Sequence, residues 1–178
     1  MAPDYAFILK EEKQHFETGL KALNKLTSGK VYVGISQRQP IDVKNATSVI
    51  FDGPHPAGNV GIQINHIAPI NKGDTVWTMS ALDVLFIGRL FDKGIADFSR
   101  IVAVTGSEID DPHYVRTRIG ASIASITQGM VKAVEYEQRY ISGNVLTGVK
   151  TNADGYIGAT HSQITVIPEG NNYDEFLG

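Results

Sequence analysis

Apolar residues recur along this chain in two rhythms, and the switch between them outlines its elements. Phe16, Leu20 and Leu23 stand at i, i+4 and i+7, and Leu26 extends the stripe, which predicts an amphipathic helix. Gly19 inside it costs about 1 kcal/mol relative to alanine, and Gly29 in "TSG" (27–29) is read as its left-handed cap. The unbroken run "YAFIL" (5–9) reads as a buried strand, and "VYVGIS" (31–36) and "SVIFD" (48–52) as two more. Strand, helix and strand in alternation favour a parallel or mixed sheet.

Val60, Ile62, Ile64 and Ile67 fit neither period cleanly; a short helix ended by Pro69 is expected. "TVWTM" (75–79) alternates like a strand. "SALD" (80–83) is a capping box, with Ser80 as N-cap and Asp83 three residues on. The helix it opens runs to Phe91, is apolar nearly all round and so should be buried, with Lys93 complementing its dipole and Gly94 closing it.

The pattern changes near Ala96. "SRIVAVTG" (99–106), "HYVRTRI" (113–119), "QRYISGNVLTG" (138–148) and "HSQITVI" (161–167) read as strands, with one short helix at "GASIASI" (120–126). Several strands and one helix describe a small α+β unit, so a boundary is expected near residue 95.

Composition narrows the function classes. The 178 residues are 42% apolar and 20% charged, enough to build a core. A net charge of −3 argues against a nucleic-acid surface, which needs a basic stripe. With no cysteine, disulfides, thiolate nucleophiles and Cys-ligated metal centres are excluded within the chain. The most apolar run, "ALDVLFIGRLF" (81–91), spans 11 residues, whereas a membrane helix needs about 20. "MAPDYAFILK" carries Asp4 and Lys10, with Glu11 and Glu12 next, so it does not read as a secretory signal.

Candidate chemistry centres on "FDGPHPAGNVG" (51–61). Its glycines, Gly53, Gly58 and Gly61, do not form the G-x-G-x-x-G of a dinucleotide turn, and Asn59 and Val60 follow Gly58 where a P-loop would have Lys and Ser or Thr. Pro54 and Pro56 lack an N–H, so a phosphate cradle could begin only at Ala57. Pro56 is expected at the first helical position. His55, held extended by the following proline, is either part of a stiff corner, bonded to a nearby carbonyl, or a ligand or quinone contact. The other histidines, 15, 66, 113 and 161, have no metal-ligand spacing. Arg116 and Arg118 share one strand face, where they either line an exposed sheet or hold a partner's carboxylates. "EIDD" (108–111) is first a turn, and "IGATHS" (157–162) lacks the leading serine of a flavin-attachment threonine.

The motifs "LTSGKVYV" (26–33), "FDGPHPAG" (51–58), "VRTRIGASI" (115–123) and "RYISGNVLTG" (139–148), in this order, resemble the A subunit of the bacterial Na+-translocating NADH:quinone oxidoreductase. "VWTMSALDVLFIGRLF" (76–91) resembles the family's helix-bearing stretch between them. The resemblance implies an internal segment of a longer subunit. Residues 1–95 would be a Rossmann-like α/β domain and residues 96–178 a soluble-ligand-binding β-grasp domain. It further implies a segment without cofactor or metal of its own, with flavins and iron centres on other subunits. Those subunits would be its partners, quinone a possible ligand through Gly53, His55 and Gly58, and Arg116 and Arg118 partner-facing. The subunit would sit peripherally on the cytoplasmic side of the bacterial inner membrane. After Gly61 the family tends to read Thr-His, where this chain has Ile62 and Gln63, leaving His66 as the nearest histidine. A different class of function, a free-standing small-molecule or nucleotide-binding enzyme on a degenerate Rossmann-like fold, also fits the elements, as does a scaffold without ligand.

Overall fold

A computed structural model of the chain describes residues 3–37 and 40–171. The polypeptide divides into two compact units, one of residues 4–97 and one from residue 98 onward together with the first residues.

The first unit is built on helices. Asp4 opens α1 (Tyr5–Leu9), its Oδ1 accepting from the amides of Ala6 at 2.9 Å and Phe7 at 3.2 Å. The strand expected at 5–9 is therefore a helix. A five-residue apolar run has no period of its own, and the capping aspartate decides it. α2 (Lys13–Leu23) follows and ends at Asn24 in right-handed geometry, so Gly29 is not its cap. The Asn24 amide side chain satisfies the Leu20 carbonyl and reaches Asn45 O, which closes the helix three residues short of Leu26, where the apolar stripe ends. Leu26, beyond that end, is exposed.

α4 (Ala81–Lys93) packs across α2. Ser80 Oγ accepts from the Asp83 amide at 3.2 Å, and Gly94 caps the other end at φ 71°. The two helices meet at glycines: a Cβ on Gly19 would overlap the Val84 carbonyl, and one on Gly88 would overlap the His15 carbonyl. Ile8, Leu9, Phe16, Leu20, Leu82, Val84, Leu85 and Phe86 form the buried apolar set. Burial of α4 is one-sided: Leu90 and Phe91 are exposed, contrary to the expectation of a helix covered all round. Arg89, 2% exposed, is held by Glu12 through Nη2–Oε1 at 2.6 Å and Nε–Oε2 at 3.2 Å. Burial works to raise the Glu12 pKa, but the hydrogen bond and positive charge of Arg89 win and hold it below the usual carboxylate value.

Between the two long helices the chain is thinly covered. β1 (Tyr32–Ile35) and β2 (Thr47–Ile50) pair in parallel, Tyr32 opposite Thr47, and α3 (Val60–Ile67) follows. No described residue from Asn24 to Ser80 is buried. The strand expected at 75–79 forms no ladder; the segment lies exposed, with Trp77 at 81%.

The second unit is a five-stranded mixed sheet, ordered β4-β3-β7-β5-β6. β3 (Ser99–Thr105) lies antiparallel to β4 (His113–Arg118) and parallel to β7 (Gln163–Pro168). β5 (Gln138–Ser142) lies antiparallel to both β7 and β6 (Val149–Thr151). The strand expected over 138–148 thus stops at Ser142. Asn144 folds the next residues into a turn, its Oδ1 accepting from the amides of Leu146 and Thr147. α5 (Ile123–Thr127) begins three residues later than the sequence suggests, because 119–120 turn first and Ser122 bridges to Tyr156. Val102, Val104, Ile109, Ile123, Ile126, Met130, Ile157, Ile164 and Val166 make the core. Arg100, buried in β3, donates to the carbonyls of Ala159 at 2.7 Å and Gly158 at 2.8 Å, tying that loop to the sheet.

Candidate functional site

The 51–61 stretch leaves the end of β2. Phe51 N–H donates to Ile35 O at 2.8 Å, one step beyond the ladder. Gly53 then turns at φ 136°, which L side chains rarely adopt, so a glycine is required there. Ala57 N–H donates to Pro54 O at 3.0 Å and Asn59 N–H to Pro56 O at 2.8 Å, two successive turns across the His55–Pro56 pair, whose peptide bond is cis. Pro56 is not the first helical residue, as the sequence suggested. α3 starts at Val60 behind Asn59, because the proline's carbonyl is already committed to the Asn59 amide.

Those turns engage two of the loop's amides. The two prolines have no amide to offer, and the amides of Ala57 and Asn59 point at carbonyls within the loop. The phosphate nest that would have to begin at Ala57 finds its first donor taken.

The five histidines now separate. His15 Nδ1 pairs with Asp92 Oδ2 at 2.5 Å; that hydrogen bond, with help from Thr18, lowers the Asp92 pKa. His66 Nδ1 lies 2.8 Å from the Ile62 carbonyl one turn back, and its ring meets Phe51 edge-on at 6.5 Å. His113 Nδ1 is 2.6 Å from Asp111 O, and His161 Nδ1 is 2.8 Å from Ser142 Oγ. His55 is exposed and has no hydrogen bond among the described residues, so the carbonyl bond expected of a stiff corner does not form. His55 is thus displayed, on a loop braced by two backbone hydrogen bonds of its own.

Gly53, His55 and Gly58 stand together on this one loop. A Cβ at Gly58 or Gly61 would meet nothing within 4 Å, so packing does not require a glycine at either position. Gln63 packs its side chain over Gly34 of β1 and donates to Ala57 O at 3.4 Å, fastening the loop to the sheet. Beside the start of α3 lies an open depression lined by Val60, Thr78, Met79, Ser80 and Asp83. Sequence reasoning missed this hollow; only folding brings Val60 to the capping box of α4. No group of three or more His, Asp or Glu side chains that could hold a metal occurs among the described residues.

Arg116 and Arg118 belong to the second unit. Both are exposed on β4, opposite Ile101 and Ser99 of β3, at the edge of the five-stranded sheet. Charged side chains on an edge strand also discourage unwanted strand addition. No helix among the described residues is long and apolar enough to cross a membrane.

Comparison with known proteins gives a consistent set of relatives. Residues 1–96 match the family model of the NqrA second alpha/beta domain, and residues 101–153 match that of the NQRA C-terminal domain. The chain is 39% identical over 180 residues to the A subunit of the Na(+)-translocating NADH-quinone reductase of Neisseria meningitidis serogroup B, covering 99% of this chain and 40% of that protein. Its namesake from Yersinia pseudotuberculosis serotype O:1b is also 39% identical, with the same coverage. That from Saccharophagus degradans is 38% identical over 176 residues. The chain therefore spans about two fifths of the length of the relatives it matches.

Proposed function

Because the chain belongs to the NqrA family, the A subunits of the Na+-translocating NADH-quinone reductase, we propose that it works as a non-catalytic segment of such a protein. It docks other subunits and presents the 51–61 loop toward quinone. The observation that carries this reading is the match of both units, in order, to two domains of one polypeptide.

In this reading the segment holds no cofactor, and electrons move through groups on other subunits. Two prolines without an amide, and the Ala57 and Asn59 amides bonded within the loop, support that division by removing donors a coenzyme's phosphates would need. His55 is the loop's one displayed ring, able to donate to or accept from a quinone carbonyl. Gly53 sets the turn that displays it. Arg116 and Arg118 face acidic groups of a partner. The polypeptide lies at the cytoplasmic face of the bacterial inner membrane, peripheral to spans carried by others.

The finer fold follows the same reading. The helices, parallel strand pair and βα order of the first unit fit a Rossmann-like domain. In the second, the first and last strands pair in parallel at the middle of a mixed sheet crossed by one helix, which fits a β-grasp.

Deleting the gene in its native host is expected to remove Na+-stimulated NADH:quinone reductase activity from the membranes. In the complemented complex, His55→Ala is expected to raise KM for a short-chain quinone about fivefold, the value of one ordinary hydrogen bond, with assembly unchanged. Normal assembly with unaltered kinetics would reduce the segment to a scaffold.

A further inference from the structure

The loop that displays His55 opens on an aspartate followed by a glycine. An aspartate side chain reaches the nitrogen of the next residue through a five-membered ring, and a side chain on that residue stands in the way. Glycine has none. The sequence contains two Asp-Gly pairs, Asp52–Gly53 and Asp154–Gly155, and no Asn-Gly pair. Folding sets the two pairs apart.

At Asp154 the glycine is held at both its amide and its carbonyl. Gly155 N–H donates to Asn152 O at 3.0 Å, and Gly155 O accepts from Ile123 N–H at 2.9 Å. A Cβ on Gly155 would lie 2.2 Å from Thr151 Oγ1, so the residue has little room to swing.

At Asp52 the nitrogen stands open. Asp52 and Gly53 are both exposed. Neither the Asp52 carboxyl nor the Gly53 N–H has a hydrogen bond among the described residues. A Cβ on Gly53 would meet only the Ala57 methyl, at 4.0 Å. The backbone is fixed on either side of the pair, by Phe51 N–H on Ile35 O at 2.8 Å and by Ala57 N–H on Pro54 O at 3.0 Å. The turn at φ 136° requires a glycine, and a glycine is what leaves the nitrogen uncovered.

We propose that Asp52–Gly53 is a site of spontaneous isomerisation, which converts Asp52 to isoaspartate and resets the loop. In the first step the Gly53 nitrogen bonds to Cγ of the protonated Asp52 carboxyl. The Cγ–OH bond breaks, and the hydroxyl leaves with the amide proton as water. In the second step water adds to the main-chain carbonyl of the resulting succinimide, and the bond from that carbonyl to the Gly53 nitrogen breaks. The peptide then runs through the Asp52 side chain, longer by a methylene, and the former main-chain carbonyl is a free carboxylate. Only water enters or leaves, and nothing is oxidised or reduced.

The product is a substrate for one class of enzyme, a methyltransferase that esterifies the isoaspartyl carboxylate from a sulfonium methyl donor. The added methylene falls between the two fixed points of the backbone, on the same side as His55, so it moves the ring that the loop displays. Its consequence for quinone rests on the function proposed above; the isomerisation does not.

Ageing of the purified, folded full-length polypeptide at neutral pH tests it. Peptide mapping with electron-transfer fragmentation separates isoaspartate from aspartate at each site. A purified isoaspartyl methyltransferase with labelled S-adenosylmethionine marks the peptide that carries residue 52. Isoaspartate is expected to accumulate at 52 at least about fivefold faster than at 154, the value of one ordinary hydrogen bond on the Gly155 amide. In the urea-unfolded chain the two rates are expected to converge, because folding alone sets the pairs apart. Asp52→Glu, whose ring would have six members, is expected to leave the peptide unmarked. Equal rates in the folded chain, or a faster rate at 154, overturn the proposal. So does an unreacted Asp52 in the folded chain when the unfolded chain forms isoaspartate there, and so does a marked peptide in Asp52→Glu. These measurements involve no quinone, so their failure is distinct from unaltered kinetics in His55→Ala.

Discussion

Gly88 and Gly19 set how closely α2 and α4 approach, because each lies against a carbonyl of the other helix. Gly88→Ala is expected to destabilise the unit by about 3 kcal/mol, the upper range for overpacking against a rigid neighbour, read as a lower midpoint in urea denaturation. The Glu12–Arg89 pair sits on the same seam. Arg89→Ala strands a half-buried carboxylate and should cost about 3 kcal/mol; Glu12→Gln with Arg89→Met should cost less, because no charge is left unpaired. In the second unit, hydrogen bonds from Arg139 at 2.8 Å and Lys150 at 2.6 Å lower the Glu169 pKa from 4.5 to about 2. A depressed carboxylate contributes stability above its unfolded pKa and loses it as pH falls through the folded one. The stability gap between the native chain and Glu169→Gln should therefore be full at pH 6, shrink below about 4.5 and vanish near 2, as followed by denaturation at each pH. Single residues were legible to different degrees. The prolines at 54 and 56 carry their missing amides on their face, so the loss of two donors from the loop could be read directly. That His55 would have no hydrogen bond among the described residues could not, because a ring's hydrogen bonds depend on what folding brings near it.

At the scale of elements, local signals decided what could be read. α4 announced both ends, since a capping box and a left-handed glycine act within one turn. Ser80→Ala should lower stability by about 1 kcal/mol, measured by thermal melting of the first unit. α1 was mistaken for a strand because five apolar residues have no period, and Asp4, the deciding residue, lies just outside the run. The segment 75–79 has the composition of a strand but exists as one only if something pairs with it. Propensity yields to the absence of a neighbour. The depression beside α3 was invisible for a related reason: Val60 and Ser80 are far apart in the chain, and no spacing rule links them.

At the scale of the molecule, the two units differ in completeness. The second has a contiguous core of nine buried apolar residues beneath its five-stranded sheet. The first has a helical core and a long stretch without burial. The helix-rich and strand-rich stretches on either side of residue 95 differ in period, which is the signal the sequence carries there.

The most direct test of the central claim is affinity purification of the native-host membrane complex through a tag on the polypeptide that contains this chain. The account predicts that multi-span subunits co-purify and that the preparation reduces quinone with NADH in a Na+-stimulated reaction. A tagged polypeptide that purifies alone, from membranes that keep that activity, would contradict it.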